Sequence, residues 1–252
     1  MRGARTRRIA VVGSGAAAES VAREYAELIS GLAGIPAKVL DGADHGTISS
    51  AEYGAILLVH PGAGAASAAR RLRAATGLYV LSDQDATAIA LTGALLATLA
   101  RRGRAPRDVR VVIAGAERLP GLAPLLIAAD VRDVTLWNTA DGAVFPLHQI
   151  VFGADAVVDL LGALPGDMGG VLAVNTGDDV HAAPCAAAGL LRAALYAEGR
   201  AREVDTFHVA AAVLAAVVTP GRVFSRGAAR ELADLITEAV LASLAPARTG
   251  SG

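Results

Sequence analysis

The chain has 252 residues, of which 54% are hydrophobic and 19% are charged, and its formal net charge is −1. A chain of this length and composition can bury one or two substantial hydrophobic cores. The nearly neutral charge, with no basic face in the sequence, argues against nucleic acid as a partner. The single cysteine, Cys185, excludes a disulfide framework and a thiolate metal site.

The apolar stretches are rich in alanine and are interrupted by glycine, threonine or charged residues. None of them gives the run of about 18 or more strongly apolar residues that a membrane-spanning helix needs. No secretory signal is visible either. We therefore expect a cytoplasmic protein that does not contact membranes, and we also expect a homo-oligomer.

Strands and helices alternate along the first part of the chain. Hydrophobic periodicity predicts strands at 8–13, 37–41, 54–62 and 77–83, and helices at 17–32, 64–75 and 85–102. Glycine, proline and charged residues then follow one another in "GRAPRD". This composition is typical of a linker, and we predict a domain boundary there, after residue 104.

The alternation continues through the second part. The pattern predicts strands at 109–114, 133–138, 156–162 and 170–175, and helices at 121–129, 184–197, 203–217 and 227–245. This order predicts an α/β fold with doubly wound, mostly parallel sheets and helices on both faces. We predict an N-terminal α/β domain over 1–104, a Rossmann-like domain over 105–247 and a disordered tail over 248–252. No internal repeat stands out in the sequence.

The first candidate nucleotide loop is "VVGSGAAAES", which directly follows a predicted strand. Gly13, Gly15 and Ala18 match the pattern G-x-G-x-x-[GA], and Asp41 ends the next strand. Glycines in such a loop allow close approach of phosphates, and the helix N-terminus that follows attracts the anion. Gly13 and Gly15 are therefore candidate cofactor-binding residues. Alternatively, the small residues only let the helix pack closely on the sheet.

The second candidate loop is "VVIAGAERLPG", residues 111–121. Gly115 supplies a tight turn, but Glu117 places bulk and negative charge where a diphosphate would lie. A carboxylate repels a phosphate strongly in a poorly hydrated site without a metal. Asn138 stands at the end of the next strand instead of an acidic residue, and its side chain can still bind a ribose hydroxyl. This loop is either a degraded nucleotide site, a repurposed one, or an ordinary turn.

Several segments together, including "GAILLVHPG", "LYVLSDQDATAIALTGALLATL" and "VLAVNTGDD", resemble the malic enzyme family in sequence and order. The resemblance covers residues 28–218 and is best over 78–99 and 187–204. It implies oxidative decarboxylation of malate to pyruvate with NAD or NADP and with Mg²⁺ or Mn²⁺.

The resemblance also implies roles for individual residues. Asp83 matches a metal ligand of the family and is therefore a candidate metal-binding and catalytic residue. Thr87 and Gly115 match residues that contact the cofactor. Asn175 matches an asparagine that borders the nicotinamide and the substrate. Glu117 and Asn138 would line the same cofactor site.

Other family positions are not preserved. Where the family has its Glu-Asp metal pair, this chain has residues 59–62, which include His60. The family's catalytic lysine precedes a motif that here reads "LAGI" and follows Ser30 and Gly31, and Lys38, the only lysine, lies beyond it. The tyrosine segment of the family would lie before Met1.

These departures bear on the chemistry. A hard cation prefers several oxygen ligands, so Asp83 with His60 would bind Mg²⁺ or Mn²⁺ poorly. The base would have to be His60, Asp85 or His181 rather than a lysine. We therefore expect ordinary malic enzyme activity to be absent or very weak. Asp85 with Thr87 is interpreted as the N-cap of a helix that starts at residue 86, and Asp83 as a residue that faces a cleft.

Three hypotheses remain open from the sequence. The first is a divergent malic-enzyme-like protein that binds a nucleotide or a small carboxylic acid and performs altered chemistry. The second is a pseudoenzyme, a non-catalytic binding or scaffold protein. The third is a different NAD(P)-dependent oxidoreductase that uses the loop at Gly13 and Gly15.

Overall fold

The computed structural model of the chain describes residues 7–13, 16–41, 48–59, 64–164, 171–175, 182–197, 203–217 and 225–245. Gly15, His60, His181 and the tail predicted over 248–252 lie outside these residues. No described helix has both the length and the apolar composition that crossing a bilayer requires.

The first sheet is formed by parallel strands in the order β2-β1-β3-β4. Its strands are β1 (Arg8–Gly13), β2 (Ala37–Asp41), β3 (Tyr53–Val59) and β4 (Tyr79–Ser82). The helices of this part of the chain are α1 (Ala16–Ala33), α2 (Ala65–Thr76) and α3 (Asp83–Arg101).

The second sheet is also parallel, in the order β6-β5-β7-β8. Its strands are β5 (Arg110–Ala114), β6 (Asp133–Trp137), β7 (Ala156–Asp159) and β8 (Leu172–Asn175). The remaining helices are α4 (Leu122–Ala128), α5 (Leu147–Ile150), α6 (Ala182–Tyr196), α7 (Glu203–Val217) and α8 (Arg226–Leu244). The predicted α/β class with parallel sheets and flanking helices is thereby confirmed.

One apolar cluster joins both sheets through α3. It contains Leu57 of β3, Leu95 of α3 and Ile113 of β5, all essentially buried. Helices α6 and α8 pack on each other and on α1, and α6 also contacts β3. Helix α6 therefore packs against the first sheet, although it follows the second sheet in the chain. The domain boundary after residue 104 stays a prediction.

The chain passes from β4 into α3 without a loop. Ser82, in an extended conformation, is the N-cap: its side chain accepts a hydrogen bond from the Asp85 N–H at 3.1 Å, and the Asp85 carboxylate accepts from the Ser82 N–H at 2.9 Å. Asp85 thus takes part in capping, as predicted, but as the third residue of the helix, whereas the predicted start at residue 86 and the capping role of Thr87 were wrong. The helix starts earlier because Ser82 and Asp85 satisfy each other's N–H groups in a capping box.

The strand predicted over 156–162 ends at Asp159. The buried Asp159 carboxylate accepts hydrogen bonds from the N–H groups of Leu161 and Gly162 at 2.9 and 3.0 Å, and of Leu164 at 2.9 Å. An aspartate that binds the N–H two residues ahead turns the chain, so the apolar residues after it cannot extend the strand.

Candidate functional site

Each sheet has a position at which the order of its strands reverses. In the first sheet this position lies between β1 and β3, where Gly13 pairs with Val59. In the second it lies between β5 and β7, where Ala114 pairs with Asp159. Open parallel sheets bind ligands at the carboxyl ends of the strands on either side of such a position. The carboxyl edges of both sheets are therefore the places to look for a site.

The beginning of α3 lies at the carboxyl edge of the first sheet and close to the loop region of the second sheet. Asp83 and Asp85 lie there, directly after β4. A Cβ atom placed on Gly121, which precedes α4, would lie 3.7 Å from Asp85 Oδ1. The start of α4 follows the loop after β5, so the acidic start of α3 faces the loop region of the second sheet.

Two tyrosines accompany these carboxylates. Burial, and after it the negative charge of Asp83, raises the pKa of Tyr25 on α1. Burial and the charge of Asp85 raise the pKa of Tyr79, which is fully enclosed. Both phenols are therefore protonated at neutral pH and can act only as hydrogen-bond or proton donors toward an anion. The sequence reasoning missed them, because a tyrosine among apolar residues of a helix or strand is read as core.

The second loop is held closed by its own hydrogen bonds. The Gly115 N–H donates to the Trp137 carbonyl at 2.8 Å, and the Arg118 N–H donates to the Gly115 carbonyl at 2.9 Å. The Glu117 N–H donates to Asn138 Oδ1 at 3.1 Å. N–H groups of this kind are the ones that would surround a diphosphate, and here they are used inside the protein.

The side chain of Glu117 points to the end of the neighbouring strand. Its carboxylate accepts hydrogen bonds from the Thr139 N–H, at 3.1 Å, and from the Thr139 hydroxyl. The hydrogen bond from the Thr139 side chain is the main reason why the pKa of Glu117 lies below its usual value. Glu117 thus links the turn after β5 to the turn after β6.

The opening between β5 and β7 is occupied by side chains. Gly115 has φ = +81°, and a Cβ atom there would lie 2.7 Å from Leu161 Cδ2. Arg118 Nη1 also donates to the Leu160 carbonyl at 3.0 Å. In this arrangement the N–H groups of Gly115, Glu117 and Arg118 are bonded within the protein, and Leu161 lies against Gly115.

The sequence matches no family model and no curated protein. Solved structures that share its fold include three malic enzymes. A structure described as a malic enzyme (malate oxidoreductase) superposes with a TM-score of 0.75 and 17% identity, over 94% of this chain and 85% of the other. The malic enzyme of Pyrococcus horikoshii superposes with a TM-score of 0.74 and 15% identity, over 96% of this chain and 77% of the other. The NAD-dependent malic enzyme of Thermotoga maritima superposes with a TM-score of 0.73 and 16% identity, over 94% of this chain and 84% of the other.

The chain has the malic enzyme fold. At this level of identity the likeness shows the fold and does not by itself transfer any activity. It confirms the expectation of a divergent malic-enzyme-like architecture that the segments around Asp83 suggested.

Within the malic enzyme fold, the predicted site residues fall into two groups. Asp83 and Thr87 lie at the start of α3, where the Thr87 hydroxyl donates to the Asp83 carbonyl at 2.9 Å. Gly115, Glu117 and Asn138 lie together in the second loop, as described above. These placements leave the functional roles of the residues as predictions.

The other predicted residues end strands. Gly13 ends β1, and Asn175 ends β8 in register with Asp159. Among the described residues, no group of three or more histidine, cysteine or acidic side chains could hold a metal ion. Asp83 thus does not belong to a recognisable cation site within this part of the chain.

Asp159 is a residue that the sequence reasoning did not single out. It ends β7 beside the Gly115 loop, and its carboxylate shapes the turn that carries Leu161. Its only sequence signal was an aspartate at the end of an apolar run. Cys185 is a poor candidate for chemistry, because burial raises the pKa of its thiol to about 11.

Proposed function

We propose that the chain is a divergent protein of the malic enzyme fold that binds a small carboxylic acid or a nucleotide and does not decarboxylate malate efficiently. The observation that carries this proposal is the closed second loop, in which Glu117 bonds to Thr139 and Leu161 lies over Gly115. A dinucleotide would have to displace both contacts. NAD or NADP therefore binds weakly at this loop.

The chemistry of malate decarboxylation points the same way. The reaction needs a base for the hydroxyl, an acid for the enol and a divalent cation that takes up developing charge. Asp83 offers one carboxylate, and among the described residues it belongs to no group of three or more histidine, cysteine or acidic side chains that could hold a metal ion. A cation at Asp83 would lack the several ligands that Mg²⁺ or Mn²⁺ prefers.

The start of α3 is the ligand-binding region in this proposal. A carboxylate such as Asp83 accepts hydrogen bonds from hydroxyl groups, as found in 2-hydroxy acids and in ribose. The protonated Tyr25 can donate to a ligand oxygen. This pairing favours ligands that carry both a hydroxyl and an acidic group.

Thermal-shift measurements test the proposal. Stabilisation is expected from at least one member of a panel of 2-hydroxy acids, NAD and NADP, and Asp83→Asn should abolish it. Glu117→Gly should increase the stabilisation by NAD or NADP, because it removes the contact to Thr139. Efficient turnover of malate by the unmodified protein, or unchanged NAD(P) affinity of the Glu117→Gly variant in calorimetry, would contradict the proposal.

A pseudoenzyme is the second candidate function. The hydrogen bonds that close residues 115–118 favour it, because they stabilise the loop without any ligand. In that case the melting temperature of the unmodified protein does not change when 2-hydroxy acids, NAD, NADP, Mg²⁺ or Mn²⁺ are added.

A third candidate places NAD(P) at the first loop. Gly13 ends β1 at the strand-order reversal of the first sheet, and the corresponding position in the second sheet is Ala114, which directly precedes Gly115. This hypothesis predicts that Gly15→Glu abolishes cofactor binding, whereas substitutions at 115–117 leave it unchanged.

We further infer a cytoplasmic homo-oligomer. Leu136 on the edge strand β6 and Val144 and Phe145 in the following turn are large apolar side chains exposed to solvent, which supports an interface there. Light scattering should give a multiple of the chain mass, and a monomer at micromolar concentration would contradict the inference.

A further inference from the structure

The second sheet has an open edge at β6. This strand pairs with β5 on one side, and no strand of the described part of the chain pairs with its other side. The Trp137 carbonyl accepts from the Gly115 N–H at 2.8 Å, so the backbone groups of Trp137 point toward β5. Because this direction alternates along a strand, the N–H and C=O groups of Val134 and Leu136 point away from β5, to the open side.

The open stretch of β6 has a defined end. Asn138 is the next residue that points outward, and its N–H donates to the Asp141 carboxylate at 2.9 Å while its carbonyl accepts from the Asp141 N–H at 2.9 Å. The outward groups of Val134 and Leu136 have no such bond to any other described residue. The Leu136 side chain is also 52% exposed. Val134 and Leu136 therefore offer unpaired backbone groups beside an exposed apolar side chain.

The corresponding edge strand of the first sheet is protected. β2 has the same place in the first sheet as β6 in the second. The N–H of Ala37, on the outer side of β2, donates to the Ser30 hydroxyl at 2.8 Å, and β2 also carries the exposed Lys38. A lysine on an edge strand discourages pairing with another chain. β6 has neither a lysine nor a proline and pairs with β5 without a bulge, and its one charged residue, Asp133, lies at its start.

From these features we propose that two copies of this chain pair antiparallel through β6, about a two-fold axis at Thr135, so that their second sheets become continuous. The open stretch is symmetric about Thr135, with one apolar residue on either side, so a second copy complements it. Val134 then lies opposite Leu136 of the second copy, exchanges both backbone hydrogen bonds with it and covers its exposed side chain. The two Thr135 side chains meet across the axis, which is a favourable cross-strand pair. This inference rests on the homo-oligomer proposed above and adds the contact through which its copies pair.

Leu136→Pro tests the pairing in the full chain. Proline removes the outward N–H but leaves the hydrogen bonds between β5 and β6 intact, because residue 136 donates none to β5. Light scattering at micromolar concentration should show the mass of the oligomer fall to half, and circular dichroism should show an unchanged fold. Val39→Pro, which removes an outward N–H from the corresponding strand β2, is the matched control and should leave the mass unchanged.

Cysteine cross-linking tests the register without a proline. In Thr135→Cys the two Cα atoms face each other across the axis at about 4.5 Å, which lies within the range of a disulfide. Oxidation with copper phenanthroline should therefore give a covalent dimer. Asp133→Cys, on the same face of β6, places its two Cα atoms about 14 Å apart and should stay unlinked. The native Cys185 is only 1% exposed and should not interfere.

The possible outcomes separate this pairing from the homo-oligomer itself. A monomeric unmodified protein would contradict the homo-oligomer, and the pairing with it. An oligomer whose mass is the same in Leu136→Pro, equal effects of Leu136→Pro and Val39→Pro, or equal cross-linking of the two cysteine variants would overturn the pairing through β6 and leave the homo-oligomer in place.

Discussion

The hydrogen bonds of Glu117 decide how the loop after β5 is held. The sequence suggested that its charge would repel a diphosphate directly. In the structure the carboxylate lies instead at the end of β6, hydrogen-bonded to Thr139, while its N–H is bound by Asn138. The residue therefore acts through the bonds it forms as well as through its charge.

A pH dependence follows from this contact. The pKa of Glu117 is lowered from its ordinary value of 4.5 in the folded state, so the ionised form contributes stability above that pH, and this stability is lost as the pH falls through the lower folded value. Because the group is exposed, the contribution is below about 1 kcal/mol. Urea unfolding should show Glu117→Gln less stable than the unmodified protein at pH 7, and this difference should shrink as the pH falls below 4.5 through the lowered folded-state pKa. A difference that does not shrink with falling pH would contradict this explanation.

In contrast to the exposed Glu117, Asp159 is only 1% exposed, and its carboxylate accepts hydrogen bonds from N–H groups of the following turn. Asp159→Asn replaces one acceptor oxygen by a donor and leaves at least one buried N–H without a partner. We expect a loss of about 1–3 kcal/mol in the free energy of unfolding. Asp133→Asn, at an exposed position on β6, is the control and should stay within about 0.5 kcal/mol.

Among the elements, the crossing of α6 and α8 depends on a glycine. A Cβ atom on Gly189 would lie 2.7 Å from Ile236 Cγ2 and 2.9 Å from the Ala233 carbonyl oxygen. The Thr237 hydroxyl donates to the Gly189 carbonyl at 3.1 Å, which ties the two helices together at the same point. The helices can approach this closely only because residue 189 has no side chain.

Alanine substitution should therefore have opposite effects at two helical glycines. Gly31→Ala on α1, where nothing lies within 4 Å of the added atom, should stabilise the protein by about 0.5–1 kcal/mol through helix propensity. Gly189→Ala gains the same propensity but should destabilise the protein by about 1–3 kcal/mol overall, because it overpacks the crossing. Urea unfolding of both variants measures the sign of each change in the free energy of unfolding. Stabilisation by Gly189→Ala would show that the crossing of α6 and α8 adjusts freely.

At the scale of the whole molecule, the two sheets have the same strand order although no repeat is visible in the sequence. They are joined by α3 and by one continuous apolar cluster. The C-terminal helices α6 and α8 pack on α1 of the first sheet. The division after residue 104 that we propose is thus crossed by a shared core.

A shared core should unfold cooperatively. We predict a single calorimetric transition with a van't Hoff enthalpy close to the calorimetric enthalpy. Gly189→Ala should move the entire transition to lower temperature by about 2–4 °C for each kcal/mol lost. Two resolved transitions, only one of which moves in this variant, would show that the parts of the chain on either side of residue 104 unfold independently.

Much of the fold followed from local pattern. The predicted strands at 8–13 and 37–41 and the helix at 203–217 match the observed bounds, because buried parallel strands are continuous β-branched or aliphatic runs and helices repeat their apolar positions. Two of the boundaries that differ from the prediction, at Ser82 and Asp159, are places where a side chain bonds to a nearby N–H group. Such bonds depend on local geometry that hydrophobic periodicity does not encode.

The candidate site was predictable only in part. Asp83 and the Gly115 loop were found because a motif and its position after a strand are visible in one segment. Tyr25 was missed because its relation to Asp83 is established only when α1 packs beside the first sheet. Leu161 was missed for the same reason: nothing in its neighbourhood along the chain indicates that it covers Gly115.

By itself, the amino-acid sequence determined the alternation of strands and helices, the α/β class and the positions of the candidate loops, since each depends on residues close together in the chain. Only the tertiary structure decided that the second loop is closed by Glu117, Thr139 and Leu161, and that the C-terminal helices α6 and α8 pack on α1 of the first sheet. Those features arise from contacts between distant segments, whose free energy depends on packing that no single segment specifies.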